Sequence, residues 1–92
     1  MRISAVYLFG SFARGTEHQW SDIDIAIISP DLSDDRFEAR VRLMKVSAEL
    51  DARIEPAPFR PEDFIDDDPL VWEIKKDGIL ISTGDERLVP AL

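Results

Sequence analysis

The chain has 92 residues, of which 45% are hydrophobic and 33% charged, a composition that fits one soluble globular domain with a single small core. It contains no cysteine, which excludes disulfides, thiolate metal sites and cysteine nucleophiles. Nineteen acidic residues against eleven basic ones give a net charge of −8. This balance argues against direct nucleic-acid binding, because that binding depends on Lys and Arg side chains that neutralise phosphates.

A buried strand followed by one turn of helix is predicted at the N-terminus. Ile3–Phe9 is almost continuously apolar and stops at Gly10, a pattern typical of a strand in the centre of a sheet. Ser11–Arg14 predicts a single helical turn, and Gly15 is the type of residue that ends a helix at its C-terminus.

A polar loop and a second strand come next. The loop is Thr16–Ser21, in which Trp20 is suited either to stacking on a nucleotide base or to covering the sheet edge. Asp22–Ile28 alternates between polar and apolar residues. This alternation predicts a strand with Asp22 and Asp24 on one face and isoleucines on the other.

The clearest helix is predicted over Ser33–Leu50. Asp34 and Asp35, with Ser33, supply capping groups and negative charge for its N-terminal end. The apolar stripe expected to face the core runs at helical spacing and is widened by three neighbours. Its members are Phe37, Val41, Met44 and Ala48, and the widening residues are Leu43, Val46 and Leu50.

A third strand is predicted over Ala52–Phe59, with Arg53 and Glu55 on one face. Pro56 and Pro58 cannot donate hydrogen bonds to a neighbouring strand. The second half of this strand must therefore lie at a sheet edge or be irregular.

A short helix and a last strand complete the predicted elements. Asp68 followed by Pro69 is typical of an N-cap with proline at the first helical position. Gly78 ends this helix, and Ile79–Ile81 predicts a final short strand.

Three features suggest chemistry when they are taken together. Gly10 and Ser11 stand where a strand meets a helix, a place where backbone N–H groups suit a phosphate. Asp22 and Asp24 point the same way from a strand, so their carboxylates can converge on a hard divalent ion. Glu55 on a neighbouring strand would complete a two-metal site for an in-line displacement.

These residues resemble the signature of a known family. Gly10-Ser11, ten residues and then Asp22-x-Asp24 is similar to the motif of the minimal nucleotidyltransferases, in the DNA polymerase β-like superfamily. The likeness is strongest over Leu8–Ile28 and continues less sharply through Arg53–Phe64. It implies an α/β (α+β) fold with a small mixed β-sheet and helices on one side, formed by residues 1–92 as one domain.

The resemblance also implies roles for particular residues. Gly10 and Ser11 would hold the nucleotide triphosphate, and Arg14 would contact phosphate or be an ordinary surface arginine. The third acid of the family lies on the strand after the long helix, where Glu55 is preferred and Asp51 is the competitor. The implied catalytic and magnesium-binding carboxylates are Asp22, Asp24 and Glu55.

Many members of this family are antitoxins of HEPN-domain ribonuclease toxins. The resemblance therefore implies a magnesium-dependent adenylyltransferase that moves AMP from ATP to a tyrosine of such a toxin, in a hetero-oligomer with it. The alternative is a non-catalytic module of the same fold that neutralises the toxin by occlusion. A chain with a net charge of −8 is compatible with a basic, RNA-binding partner in either case.

Two further expectations concern the chain ends and the location. Relatives usually carry a helix before the first strand, and here the strand begins almost at Met1. We expect a shortened form or a misassigned start, and a partner against the uncovered side of the sheet. No apolar run approaches the length of a membrane span and no secretory signal is present, so we expect a cytoplasmic protein without membrane contact.

Overall fold

The computed structural model describes residues 1–16 and 21–82, so the prediction for Trp20 lies outside the described residues. In chain order the elements are β1 (Ala5–Phe9), α1 (Gly10–Arg14), β2 (Ile23–Ile28), α2 (Arg36–Leu50), β3 (Ile54–Phe59), a 3-10 turn (Pro61–Asp63), α3 (Pro69–Asp77) and β4 (Ile79–Ser82). Within those two ranges, no helix has both the length and the apolar character needed to cross a membrane.

The four strands form one mixed sheet in the order β3-β2-β1-β4. β1 pairs antiparallel with β2 and with β4, whereas β2 and β3 are parallel. A parallel pair needs a long crossover, and α2 supplies it. The predicted α/β fold class with a small mixed sheet is confirmed.

The helices lie on two faces of the sheet, which corrects the expectation that they lie on one side. Ile27 of β2 packs with Leu43 and Ala39 of α2. Its neighbour Ile28 packs with Val71 and Ile74 of α3, together with Ala26 and Phe59. Adjacent strand residues point to opposite faces, so α2 and α3 cover opposite faces of β2.

The face of α2 that packs on the sheet differs from the predicted stripe. The buried residues recur every fourth position and are Ala39, Leu43 and Ser47. Two of the three are small, which lets the helix lie close to the strands. Only Leu43 of the predicted set is in this row, while Phe37 is 77% and Met44 42% exposed. The prediction was wrong because it followed hydrophobicity, whereas close packing selected the small residues.

Local signals at the helix ends were predicted correctly. Gly15 ends α1 in the left-handed conformation, with φ of 71°. Asp68 caps α3 by accepting from the N–H of Leu70, with Pro69 at the first helical position. α2 begins at Arg36, three residues later than predicted, because Asp35 is its N-cap.

β3 is an edge strand, as its prolines predicted, and this edge offers no free N–H group. The N–H groups of Ile23, at the start of β2, and of Ser29, just after its end, donate to the carbonyls of Arg53 and Phe59. The backbone N–H and C=O groups of the odd-numbered residues of β3 therefore point towards β2, and those of the even-numbered residues point outward. Pro56 and Pro58 have no N–H, and the N–H of Ile54 donates to Asp51 O at 3.1 Å. Another strand therefore cannot pair with this edge in the usual way.

Candidate active site

The sheet brings Asp24 and Glu55 side by side. Asp24 of β2 is in register with Glu55 of β3, and on its other side it is in register with Phe9 at the end of β1. Residues paired across neighbouring strands present their side chains on the same face. Two of the predicted carboxylates therefore share one face of the sheet, next to the point where α1 begins.

Gly10 makes room for Asp24. Its φ is +70°, and a Cβ atom at this position would collide with Asp24 Oδ2. Glycine is thus required both by its backbone conformation and by its contact with the aspartate. The sequence suggested this glycine for close approach to a phosphate. The structure shows a second reason for glycine at this position: the first residue of α1 must leave space for the carboxylate of Asp24.

The electrostatics of the site centre on Asp24. Burial raises its pKa above 3.8, and the negative charges of Asp22, Glu55 and Glu73 raise it further, while the positive charge of Arg14 lowers it. Among the described residues the negative charge around Asp24 is therefore incompletely balanced. A bound cation would stabilise such an arrangement.

Asp22 lies directly before β2 and is exposed. Its negative charge acts on Asp24, two residues later in the chain. Ser11 lies in α1 and is half-buried, and its carbonyl accepts from the N–H of Thr16 at 2.9 Å. The roles of both residues remain predictions.

Arg14 pairs with a carboxylate that the sequence did not single out. Arg14 Nη1 lies 3.4 Å from Glu73 Oε1, and both side chains are close to half exposed. Glu73 comes from α3, which packs beside α1. Its charge also acts on Asp24. No local pattern marks Glu73, because its position depends on how α3 docks.

The two candidates for the third acid have different partners. Arg40 Nη2 of α2 donates to Glu55 Oε2 at 2.9 Å, a contact that the sequence did not suggest. Asp51 ends α2 and accepts from the backbone N–H and the guanidinium of Arg53. These hydrogen bonds lower the pKa of Asp51 to about 2. Glu55, and not Asp51, is the one in register with Asp24.

Asp24 and Glu55 line an open cleft of about 430 Å³. The cleft also has two guanidinium groups, those of Arg36 and Arg40, and an apolar wall. The apolar residues are Phe37, Pro56, Ala57, Pro58 and Leu70. Arg36 lies over the Phe59 ring with its Cζ 4.9 Å from the ring centre. The carboxylates thus border a space wide enough for a substrate group.

The carboxylates fit a hard divalent cation by their chemistry, since oxygen ligands are the ones that magnesium prefers. The pKa of Asp24 is raised first by burial and then by the charges of neighbouring carboxylates, and a bound cation would offset those charges. Within residues 1–16 and 21–82, however, no three His, Cys, Asp or Glu side chains are gathered closely enough to hold a metal together. Two carboxylates are side by side, and one of them is paired with Arg40.

Comparison with protein families matches residues 1–87 to the family described as "Polymerase beta, Nucleotidyltransferase". A curated relative, the protein adenylyltransferase MntA of Shewanella oneidensis, is 36% identical over 61 residues. That match covers 64% of this chain and 42% of the relative. The chain therefore spans less than half the length of that relative.

Two solved structures have a similar fold. One is described as a toxin–antitoxin with AMP-PNP, with a TM-score of 0.60 and 24% identity over 95% of this chain and 66% of the other. The second is a mutant of the toxin–antitoxin MntA–HpeT, with a TM-score of 0.62 and 26% identity over 92% of this chain and 64% of the other.

Proposed function

This chain belongs to the polymerase beta nucleotidyltransferase family, and we propose on that basis that it is an adenylyltransferase antitoxin. It transfers AMP from ATP to a hydroxyl group of a cognate toxin. The acceptor is a tyrosine of a HEPN-domain ribonuclease toxin, with which the chain forms a hetero-oligomer in the cytoplasm. The adenylyltransferase and toxin–antitoxin names of its relatives support this proposal.

The observation that carries the proposal is the register of Asp24 with Glu55 beside Gly10. A carboxylate pair next to a glycine-led helix start is what nucleotidyl transfer requires. The carboxylates suit a divalent cation, and the helix start at Gly10 suits the phosphates of the nucleotide. An isolated acidic surface would not need a glycine that yields space to the aspartate.

Each residue has a proposed part in the transfer. Gly10 and Ser11, with Arg14, bind the triphosphate. Asp22, Asp24 and Glu55 would hold magnesium, which when bound supplies positive charge that offsets the charge of the reacting phosphates. The acceptor oxygen bonds to the α-phosphorus as the bond to pyrophosphate breaks. Glu55 orients the acceptor hydroxyl and receives its proton.

The test uses a purified cognate toxin, this protein, ATP and magnesium. We expect the toxin to gain the mass of whole AMP units on a tyrosine and to stay inactive after this protein is removed. The same incubation without ATP serves as the control. Occlusion alone depends on mass action, so toxin activity would then return on separation and ATP would make no difference. That result, with no change in toxin mass, would contradict the proposal in favour of the binding module.

A further inference from the structure

Glu55 has two neighbours of opposite charge, Asp24 on β2 and Arg40 on α2. It is in register with Asp24, and its charge raises the pKa of that residue. At the same time its Oε2 accepts from Arg40 Nη2 at 2.9 Å. A metal ion that uses this oxygen must therefore displace the guanidinium.

The positions and exposure of Arg40 and Glu55 allow such a displacement. No three acidic side chains within residues 1–16 and 21–82 are gathered to hold a metal, although Asp24 and Glu55 are neighbours. Arg40 lies on α2, outside the sheet, and reaches Glu55 across the cleft that both line. Its side chain is 52% exposed and that of Glu55 is 39% exposed. Both side chains can therefore move without disturbing the core.

We propose that Arg40 is a positioning residue that holds Glu55 in an ion pair until a divalent cation displaces it. Arg40 thereby sets the affinity of the free protein for its metal. This inference rests on the proposed function, because it takes Glu55 as a metal ligand. Physically, the guanidinium offsets the negative charge of Glu55 when no cation is bound. A cation that takes Oε2 of Glu55 as a ligand has to break one charge-assisted hydrogen bond.

Manganese binding to the purified protein without nucleotide tests the inference. Mn²⁺ takes the same oxygen ligands as Mg²⁺, and the paramagnetic resonance signal of the free ion falls as it binds. We expect Arg40→Ala, and Arg40→Gln as a second variant, to bind manganese about two- to fivefold more tightly, the effect of one partly exposed ion pair. Arg40→Lys keeps a cationic donor and should stay close to the wild type. In a Glu55→Gln background, Arg40→Ala should give no tightening.

The matched control is Arg36→Ala. Arg36 lines the same cleft and carries the same charge, but it lies over the Phe59 ring. Its removal should leave manganese affinity nearly unchanged. Equal tightening in the Arg36 and Arg40 variants would mean a general effect of charge and would overturn the inference.

The outcomes also separate this inference from the proposed function. Manganese binding that Asp24→Asn abolishes, with no tightening or with weakening in both Arg40 variants, overturns the role of Arg40 alone. Wild-type protein that binds no manganese, or binds it equally well with Asp24→Asn, overturns the proposed metal site and this inference with it. Circular dichroism of each variant confirms that the comparisons are made on folded protein.

Discussion

At the scale of single residues, Asp24 is where the constraints of the site meet. Its neighbours are Glu55 on one strand and Phe9 on the other, and Gly10 has no side chain where Asp24 Oδ2 lies. Burial and nearby carboxylates disfavour its charged form, so the fold alone gains little from an aspartate here. A residue whose charge opposes its own burial is more easily explained by function than by stability.

We expect Asp24→Asn to abolish transfer of AMP without lowering the free energy of unfolding. The amide has the same shape but cannot supply the negative charge that a metal requires, and it removes a carboxylate that is partly desolvated in the fold. Transfer of labelled AMP and urea denaturation measure the two effects. Asp63→Asn, in the exposed 3-10 turn, is the control and should change neither. Loss of folding in Asp24→Asn would show instead that the aspartate is structural.

We expect Glu55→Gln to reduce AMP transfer far more than Asp51→Asn does. Glu55 is in register with Asp24, whereas Asp51 is held by the backbone and side chain of Arg53 at the end of α2. The rates of the two variants under the same ATP and magnesium concentrations decide the question. The reverse ranking would assign the third carboxylate to Asp51.

At the scale of secondary structure, features set by neighbouring residues could be predicted from the sequence, whereas features set by distant residues could not. The cap at Asp68, the helix end at Gly15 and the edge position of the strand with Pro56 and Pro58 depend on local chemistry, and all three were predicted. The buried face of α2 was not, because the docking of a helix depends on residues far along the chain.

The same distinction explains the candidate site. The motif residues follow one another closely in sequence, and Glu55 could be placed by counting along its strand. Arg40 and Glu73 reach the site from two helices whose docking no local pattern reveals. Only the three-dimensional structure shows that these two side chains lie near the carboxylates of the site.

We expect Asp35→Ala to destabilise the protein by about 1 kcal/mol, the usual effect of losing an N-cap. Its carboxylate accepts from the N–H groups of Phe37 and Glu38, at 3.0 and 3.3 Å. Thermal or urea unfolding measures the loss. The neighbouring Asp34→Ala removes the same charge without this cap and is the control. Equal losses in both variants would assign the effect to charge and not to capping.

At the scale of the whole molecule, one ion pair connects the N-terminal segment to the turn after β2. Asp31 accepts from the backbone N–H of Arg2 at 2.6 Å and from its guanidinium at 2.9 Å. Ser29 adds a hydrogen bond to the carbonyl of Arg2. These contacts hold together parts of the chain that are 29 residues apart. The hydrogen bonds from Arg2 lower the pKa of Asp31 to about 2.

This ion pair predicts how stability depends on pH. The pKa of Asp31 is lower in the folded chain than its ordinary value of 3.8, so its contribution is present above pH 4 and is lost as the pH falls towards 2. We expect Asp31→Asn to be less stable than the wild type at neutral pH and to converge with it near pH 2. Urea unfolding at a series of pH values checks this. A constant difference across the range would contradict an ionic origin.

The closed edge of β3 has a consequence for growth by strand pairing. In polymer chemistry a monomer with two reactive ends extends a chain, whereas one with a single reactive end terminates it. The outward N–H positions of β3 are two prolines and one group already bonded, so among the described strands only β4 has an open edge. The sheet formed by the described strands therefore resembles the monomer with a single reactive end. Edge-to-edge association through β4 stops at two copies and does not continue into a fibre.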